Sequence, residues 1–330
     1  MAKIEKVLLT VKLKEENQKK IFEALKPAEV VYVDHKDIPG ILENGKDADV
    51  IIFNSDSPVP VSSFPKLKWM HCSHAGIDKT VTPEFFDRNI VLTCAKGRSA
   101  NSLAEHAFMF MMYFTYSIGL QLEHQKAHCW TQEGIYPLQS GLRGRTLGIL
   151  GLGNTGIEVA KLAKAFGMYV LGYRRSAVEL DCVDELYASK RGDSLSELLS
   201  RCDYVVLCIE LNDHTYHIIG KDEFEAMKER AVLVNMGRGS LIDEEAMIEA
   251  LKERKIFGAG LDTVASEPLA EDSPLWDMDN VFITPHATPP QPDKDERMLS
   301  YILDNIKAYR EDGVFVNRVD ESAMYSHKRQ

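Results

Sequence analysis

What this chain lacks narrows its identity before any motif is read. Its six cysteines, at 72, 94, 129, 182, 202 and 208, are scattered and have no paired spacing. That argues against a disulfide framework or a zinc ribbon and leads us to expect reduced thiols in a cytoplasmic protein. No apolar run is long enough to span a bilayer; the richest, Ala107 to Tyr116, is interrupted by Thr115. Met1 to Lys6 show no continuous apolar segment of the signal-peptide kind. Positive charge is in deficit, 39 Lys and Arg against 50 Asp and Glu, a net −11. Neither nucleic acid nor an anionic membrane is then expected as the main partner. No internal repeat or low-complexity linker is visible. What remains is a soluble protein whose 330 residues, 45% hydrophobic, suit two domains of ordinary size.

Strand and helix patterns alternate along the whole chain. Val7–Val11, Val30–Val33, Val50–Phe53, Leu67–Cys72 and Ile90–Cys94 read as short apolar strands, with a helix over Glu15–Leu25 whose apolar face is Ile21, Phe22 and Leu25. A second series starts at Thr146 and continues through Tyr169–Tyr173, Tyr204–Ile209, Ala231–Val234, Phe257–Leu261 and Val281–Thr284. Short apolar strands spaced by helix-length segments predict parallel sheets covered on both faces. A long helical pattern from Asn101 to about Glu123 lies between the two series, and another, Asp293 to about Tyr309, follows the last strand. The fold class is therefore expected to be α/β, with two doubly wound parallel-sheet domains. Residues 1–100 and 293–330 would form one, discontinuous, and 101–292 the other.

The most informative stretch is Gly151-Leu152-Gly153-Asn154-Thr155-Gly156. It follows the strand-like Thr146–Leu150 and opens a helical pattern, the setting in which a glycine turn cradles a dinucleotide pyrophosphate. The helix N-terminus offers unpaired N–H groups and a positive dipole end to the anion. The next strand ends in Tyr173-Arg174-Arg175-Ser176, and no acid stands between Glu158 and Glu179. A carboxylate there would bind a ribose 2′-hydroxyl, whereas guanidinium groups bind a 2′-phosphate. NADP is favoured over NAD on this reading; a solvated basic turn is the plain alternative.

Ligands of open α/β sheets bind beyond the carboxyl ends of the strands. The segments that follow those ends carry Met236-Gly237-Arg238, Asp262 with Glu267, and His286 with Thr288. This set resembles that of the D-isomer specific 2-hydroxyacid dehydrogenase family, and the resemblance implies a 2-keto acid, which needs a cation for its carboxylate and carbonyl oxygens and a proton for the alkoxide that reduction leaves. Arg238 suits the first as a planar bidentate clamp. His286 suits the second as general acid, or as base in the reverse direction. An unperturbed imidazole is only about a quarter protonated at pH 7. A carboxylate within hydrogen-bonding reach favours the charged form and orients the ring, and Glu267 is the candidate partner. Each residue alone reads as readily as a capping or surface group; the set on one sheet edge carries the reading. His71-Cys72-Ser73-His74 is too short a cluster to converge on a metal, and none is expected.

At these residues the chain resembles the D-isomer specific 2-hydroxyacid dehydrogenase family, over nearly its whole length. The anchors are Gly151–Gly156, Val234–Gly239, Gly260–Asp262 through Glu267-Pro268-Leu269, and Thr284-Pro285-His286. The resemblance implies a Rossmann cofactor domain inserted into a flavodoxin-like substrate domain. It implies catalytic roles for Arg238, Glu267 and His286. Around the dinucleotide it places Ser102, the glycine turn (Gly151, Gly153, Asn154, Thr155, Gly156), Tyr173, Arg174, Arg175, Ser176, Ile209, Glu210, Thr215, Met236, Gly237, Asp262 and Thr288. Ser73, His74, Ala75 and Gly76 look like its substrate-carboxylate loop, and Trp130 like the tryptophan of a dimerisation arm, so a homodimer is expected. The paired arginines resemble those of NADPH-dependent glyoxylate and hydroxypyruvate reductases. A phosphoglycerate dehydrogenase-like enzyme and a dinucleotide-sensing corepressor of the C-terminal binding protein type remain as alternatives. The chain departs from the family pattern at His74, where glycine is common, at Glu210, where proline is common, and over Ala287-Thr288-Pro289-Pro290, where the family more often runs through a Gly or Ser.

Overall fold

The computed structural model describes residues 3–57, 59–133, 141–311 and 313–325. The chain forms two compact units, Met1–Ser99 with Pro290–Gln330, and Ala100–Pro289.

In the first unit, β1 (Lys6–Leu9), α1 (Glu15–Leu25), β2 (Glu29–Tyr32), α2 (Ile38–Gly45), β3 (Val50–Phe53), β4 (Trp69–Cys72), α3 (Pro83–Asp87) and β5 (Val91–Cys94) follow one another. The five strands are parallel in the order β2-β1-β3-β4-β5, the flavodoxin-like arrangement. Their side chains alternate between two apolar layers, which is why the strands read as unbroken hydrophobic runs. Leu8, Ile51, Phe53, Met70 and Leu92 face Ile41, Phe64 and Phe85. Val7, Leu9, Val50, Ile52 and Trp69 face Ile21 and Leu25 of α1.

The second unit contains α4 (Ala100–Thr115), α5 (Ile118–Lys126), β6 (Thr146–Leu150), α6 (Asn154–Ala165), β7 (Tyr169–Arg174), β8 (Glu185–Ala188), α7 (Leu195–Arg201), β9 (Tyr204–Leu207), α8 (Lys221–Ala226), β10 (Val232–Asn235), α9 (Glu244–Lys252), β11 (Gly258–Leu261) and β12 (Val281–Ile283). Its parallel strands run β12-β11-β10-β9-β6-β7-β8. Counted from β6, that is the doubly wound Rossmann order with a seventh strand added, and the order reverses between β6 and β9. The chain then returns to the first unit as α10 (Lys294–Arg310), whose Met298, Leu299, Ile302 and Ile306 join the apolar layer beneath α1. Beyond it, Val319 N–H donates to Leu92 O at 2.9 Å and Arg318 bridges Thr93 antiparallel, so the tail covers the edge of β5.

Two features differ from the sequence pattern. The single long helix expected from Asn101 to about Glu123 is two helices. Ser117 between them has φ 47°, in the left-handed region, and the Thr115 hydroxyl turns back to Met111 O at 2.7 Å. The apolar pattern stops at the same place: α4 buries ten residues and α5 none. The strand β8 has no apolar run to announce it. It is an edge strand held by polar groups, Glu185 pairing with Arg201 at 2.6 Å and Tyr187 with the same guanidinium at 2.7 Å. Among the described residues no helix is long and apolar enough to cross a membrane.

Phe110 locks α4 to the sheet. It is fully buried, and a Cβ added to Gly260 of β11 would lie 2.6 Å from its ring. Phe110→Ala is expected to cost about 3–5 kcal/mol, read as a lowered urea midpoint for the second unit. His71 in β4 makes a pH prediction. It is fully buried, bonded through Nδ1 to Thr93 Oγ1 at 2.9 Å, and burial pushes its pKa down to about 3. The unfolded chain takes the proton near pH 6.5 and the folded one does not, so folding is at full strength above about 6.5 and weakens steadily as pH falls toward 3. His71→Asn should flatten that part of the stability-against-pH curve, checked by thermal melts between pH 7 and 4.

Candidate active site

The glycine turn lies where the order of the second sheet reverses. Gly151 has φ +93°, and a Cβ on it would stand 2.6 Å from the backbone N and Cα of Ile209, so the turns after β6 and β9 touch. A Cβ on Gly156 would stand 2.0 Å from Gly151 O, so the first turn of α6 closes directly on the loop. At Gly153 an added Cβ meets nothing within 4 Å, which leaves an open approach to the α6 N-terminus. Asn154 is exposed and Thr155 half-buried beside it. These are the three glycine duties of a pyrophosphate site: turn, approach and packing.

One strand further on, β7 delivers half-buried Tyr173 and Arg174, exposed Arg175 and half-buried Ser176. Arg174 Nη1 reaches Val178 O at 3.4 Å, and Lys190 N–H donates to Arg175 O at 3.1 Å. On the other side of the turn, Thr215 is buried and folds back on its own loop. Its hydroxyl donates to Glu210 O at 2.6 Å and accepts from Asn212 N–H at 2.8 Å, fixing the backbone that follows Ile209. Ser102 is buried in the first turn of α4.

The loop bearing Arg238 is wedged between two neighbouring loops. A Cβ on Gly237 would come 3.1 Å from Ile209 O, and one on Gly239 would overlap the carbonyl of Val264 at 1.9 Å. Only glycine fits at 239, because backbone occupies the space a side chain would need. Asn235, fully buried at the end of β10, closes the loop with both ends of its amide: Oδ1 accepts from Gly237 N–H and Nδ2 donates to Arg238 O, each at 3.0 Å. Arg238 itself is half-buried, and its Nη1 donates to Gly237 O at 2.9 Å.

His286 and Glu267 meet at 2.9 Å, Nδ1 to Oε2, with side chains 43% and 40% exposed. This leaves the Nε2 edge of the ring for a reacting group. His286 has φ 50°, uncommon for a residue with a side chain. Its N–H holds it there through the carbonyls of Asp262 and Thr284, both at 2.9 Å. The Asp262 carboxylate, 2% exposed, fixes the same segment: Oδ1 accepts from the Thr284 hydroxyl at 2.6 Å and Ala287 N–H at 3.1 Å, and Thr288 Oγ1 lies 3.3 Å from Oδ2. Met236, the residue after β10, is buried in the apolar layer of this unit.

In the first unit, β4 runs into Ser73–Gly76. Ser73 N–H is spent on Phe53 O at 2.9 Å within the sheet, and its carbonyl accepts from the half-buried Arg98. Gly76 N–H donates to His74 Nδ1 at 3.2 Å, and Ala75 is exposed. Among the described residues no three His, Cys, Asp or Glu side chains come close enough to hold a metal.

The structure thus strings the glycine turn, Ile209, the Arg238 loop, Asp262 and the His286–Glu267 pair into one continuous series of contacts. Sequence reasoning gave no role to Asn235, Thr284 or His106. His106 in α4 is 7% exposed, stacks on Phe110 at 4.9 Å, and touches both threonines beside His286: Nδ1 to Thr288 Oγ1 at 2.9 Å and Nε2 to Thr284 Oγ1 at 3.2 Å. Burial pushes its pKa down, against the opposing pull of Asp262. A polar residue inside an otherwise apolar helix or strand was the signal for His106 and Asn235.

A glycine turn at the reversal of a Rossmann-ordered sheet, with an arginine and a carboxylate–imidazole pair at the same strand ends, is the arrangement of a nicotinamide-dependent oxidoreductase. Comparison with known proteins makes this specific. Residues 108–288 match the model of the D-isomer specific 2-hydroxyacid dehydrogenase NAD binding domain. The glyoxylate reductase of Korarchaeum cryptofilum is 32% identical over 292 residues, covering 86% of either chain. Among solved structures, a glyoxylate reductase from Paecilomyes thermophila superposes with a TM-score of 0.80 at 26% identity, over 97% of this chain and 99% of that one. The NADPH-dependent glyoxylate/hydroxypyruvate reductase of Sinorhizobium meliloti, solved with citrate, does so with 0.76 at 25%, over 98% and 100%. The chain belongs to the D-isomer specific 2-hydroxyacid dehydrogenase family and is an oxidoreductase acting on CH–OH donors with a nicotinamide dinucleotide.

Alanine at Gly151 would have to adopt φ +93° with its methyl 2.6 Å from the Ile209 backbone. Since a left-handed conformation costs an L-residue roughly 1–2 kcal/mol, Gly151→Ala is expected to weaken dinucleotide binding by about tenfold or more. Titration of nicotinamide fluorescence measures it.

Proposed function

We propose that this protein is an NADPH-dependent reductase of small 2-keto acids, with glyoxylate and hydroxypyruvate as its substrates. The observation that carries the reading is the His286–Glu267 pair at 2.9 Å, beside the wedged Arg238 loop and on the edge that bears the glycine turn. Arg238 binds the substrate carboxylate and polarises the carbonyl as a planar cation. Ser73, His74, Ala75 and Gly76 are assigned to substrate binding on the strength of the family resemblance. Glu267 accepts the Nδ1 proton of His286, so the imidazolium Nε2–H gives its proton to the forming alkoxide; in oxidation the neutral ring takes it back. When bound, the nicotinamide supplies the hydride. Asp262 Oδ2 suits the nicotinamide carboxamide as an acceptor, and Ser102, Thr215, Met236 and Thr288 shape the walls around it.

Arg174, Arg175 and Ser176 select the 2′-phosphate, supported by their position at the end of β7 and by the relative from Sinorhizobium meliloti being named NADPH-dependent. A homodimer is supported by Trp130, which is fully exposed, and by α5, which buries no residue and leaves Leu122 half-exposed. Six free thiols fit a cytoplasmic setting.

Initial rates of NADPH and NADH oxidation with glyoxylate, hydroxypyruvate, pyruvate, phenylpyruvate and 2-ketoisocaproate test the reading. Turnover should be fastest with the first two and with NADPH. Arg174→Ala with Arg175→Ala should raise the NADPH KM by about tenfold or more while leaving that of NADH nearly unchanged. His286→Asn should lower kcat by about 10²–10⁴-fold. Dinucleotide binding with no keto-acid turnover would instead favour the sensor reading.

A further inference from the structure

The cluster formed by His106, Thr284, Thr288 and Asp262 has four contacts within hydrogen-bond reach, His106 Nδ1 and Asp262 Oδ1 standing too far apart at 3.9 Å, and, with a neutral imidazole and an ionised carboxylate, three protons to make them. The contacts are Thr284 Oγ1 to Asp262 Oδ1 at 2.6 Å, Thr288 Oγ1 to His106 Nδ1 at 2.9 Å, Thr284 Oγ1 to His106 Nε2 at 3.2 Å, and Thr288 Oγ1 to Asp262 Oδ2 at 3.3 Å. The first is so short that the Thr284 proton must lie in it. An N–H···O bond at 3.2 Å is within the ordinary range, whereas O–H···O at 3.3 Å is beyond the usual 2.5–3.0 Å. The contact left without a proton is therefore the last. The Thr288 hydroxyl donates to His106 Nδ1, His106 Nε2–H donates to Thr284, and Thr284 donates to Asp262.

We infer that His106 is a positioning residue: as the Nε2–H tautomer it ties together Thr284 and Thr288, the two threonines that flank His286, and draws the Thr288 proton away from Asp262. Two effects follow. The segment carrying His286 is pinned on both sides to α4, a rigid element on which the ring is stacked against Phe110. Asp262 Oδ1 is committed to Thr284 and Ala287, while Oδ2 keeps its lone pairs for an N–H donor outside the protein.

The functional half of this inference rests on His286 being the proton donor; the tautomer does not. Nitrogen-15 NMR of the histidine-labelled protein should show His106 with a bare Nδ1 and a protonated Nε2. The opposite tautomer, or an imidazolium at pH 7, would overturn the assignment. Kinetics test the consequence with the best keto acid and NADPH. Thr288→Val removes one tie but leaves Asp262 Oδ2 free, so kcat should fall about tenfold with a smaller rise in the NADPH KM than His106→Leu gives, and Thr288→Ser should restore most of the kcat. His106→Leu keeps the packing on Phe110 but releases the Thr288 hydroxyl to Asp262, so kcat should fall and the NADPH KM should also rise severalfold. Wild-type kinetics in Thr288→Val, or the same KM rise in both variants, would refute the splint. Should His106→Leu not fold, the NMR and the two Thr288 variants still decide. Loss of turnover in His286→Asn alongside unaffected Thr288→Val would sink this inference and spare the proposed mechanism; full turnover in His286→Asn would overturn the proton-donor assignment and with it the functional half of this inference, the tautomer being decided by the NMR.

Discussion

A carboxylate buried to 2% exposure must be met by hydrogen bonds or it cannot stay ionised. Asp262 is met almost entirely by one segment, residues 284–288, and its own main chain reaches the same segment through His286 N–H. That one buried charge therefore dictates the path of the chain where the imidazole emerges. The left-handed backbone at His286 is uncommon, and it persists because two carbonyls and the carboxylate over-determine it. Remove the charge and the ring keeps its partner Glu267, but the segment that aims the pair loses its bonds from the Thr284 hydroxyl and Ala287 N–H.

The rest of the edge is assembled by close backbone approach. Successive parallel strands stand about 4.8 Å apart, so where the loops that follow them approach backbone to backbone there is no room for a side chain. Gly151 against Ile209 and Gly239 against Val264 are collisions avoided, and Gly237 against Ile209 is a tight contact eased. The glycines thus do more than permit turns; they bring a cofactor loop, an arginine loop and a carboxylate loop into register along the sheet. Asn235 then closes the arginine loop with hydrogen bonds that a Rossmann strand end would otherwise leave to solvent.

Much of this was legible in the sequence where the signal is local. The helix over Glu15–Leu25 and the strand Val50–Phe53 coincide with their patterns, and the other apolar strands fall within one or two residues. The glycine turn announced its sheet position, and the spacing of Glu267 and His286 brought forward two residues that touch. What failed was pattern without apolar contrast. Helix α2 and edge strand β8 have mixed faces, and the break at Ser117 depends on where buried surface ends, which composition alone does not mark. The His106 contacts span 178 and 182 residues, and no periodicity links positions so far apart. Such long-range polar bonds are fixed only once both elements are packed.

The return of the chain to its first unit bears on the order in which this protein can be made. Residues 100–289 form a contiguous unit and hold all their own strands, so they can close as soon as they leave the ribosome. The first 99 residues cannot. Trp69 and the strands beside it wait for Met298, Ile302 and Ile306, and the open edge of β5 waits for Arg318 and Val319. During synthesis this segment can thus finish only after residues 298–319 emerge, its apolar sheet face and β5 edge staying open until then. It is in that interval that the nascent chain most needs a chaperone's cover.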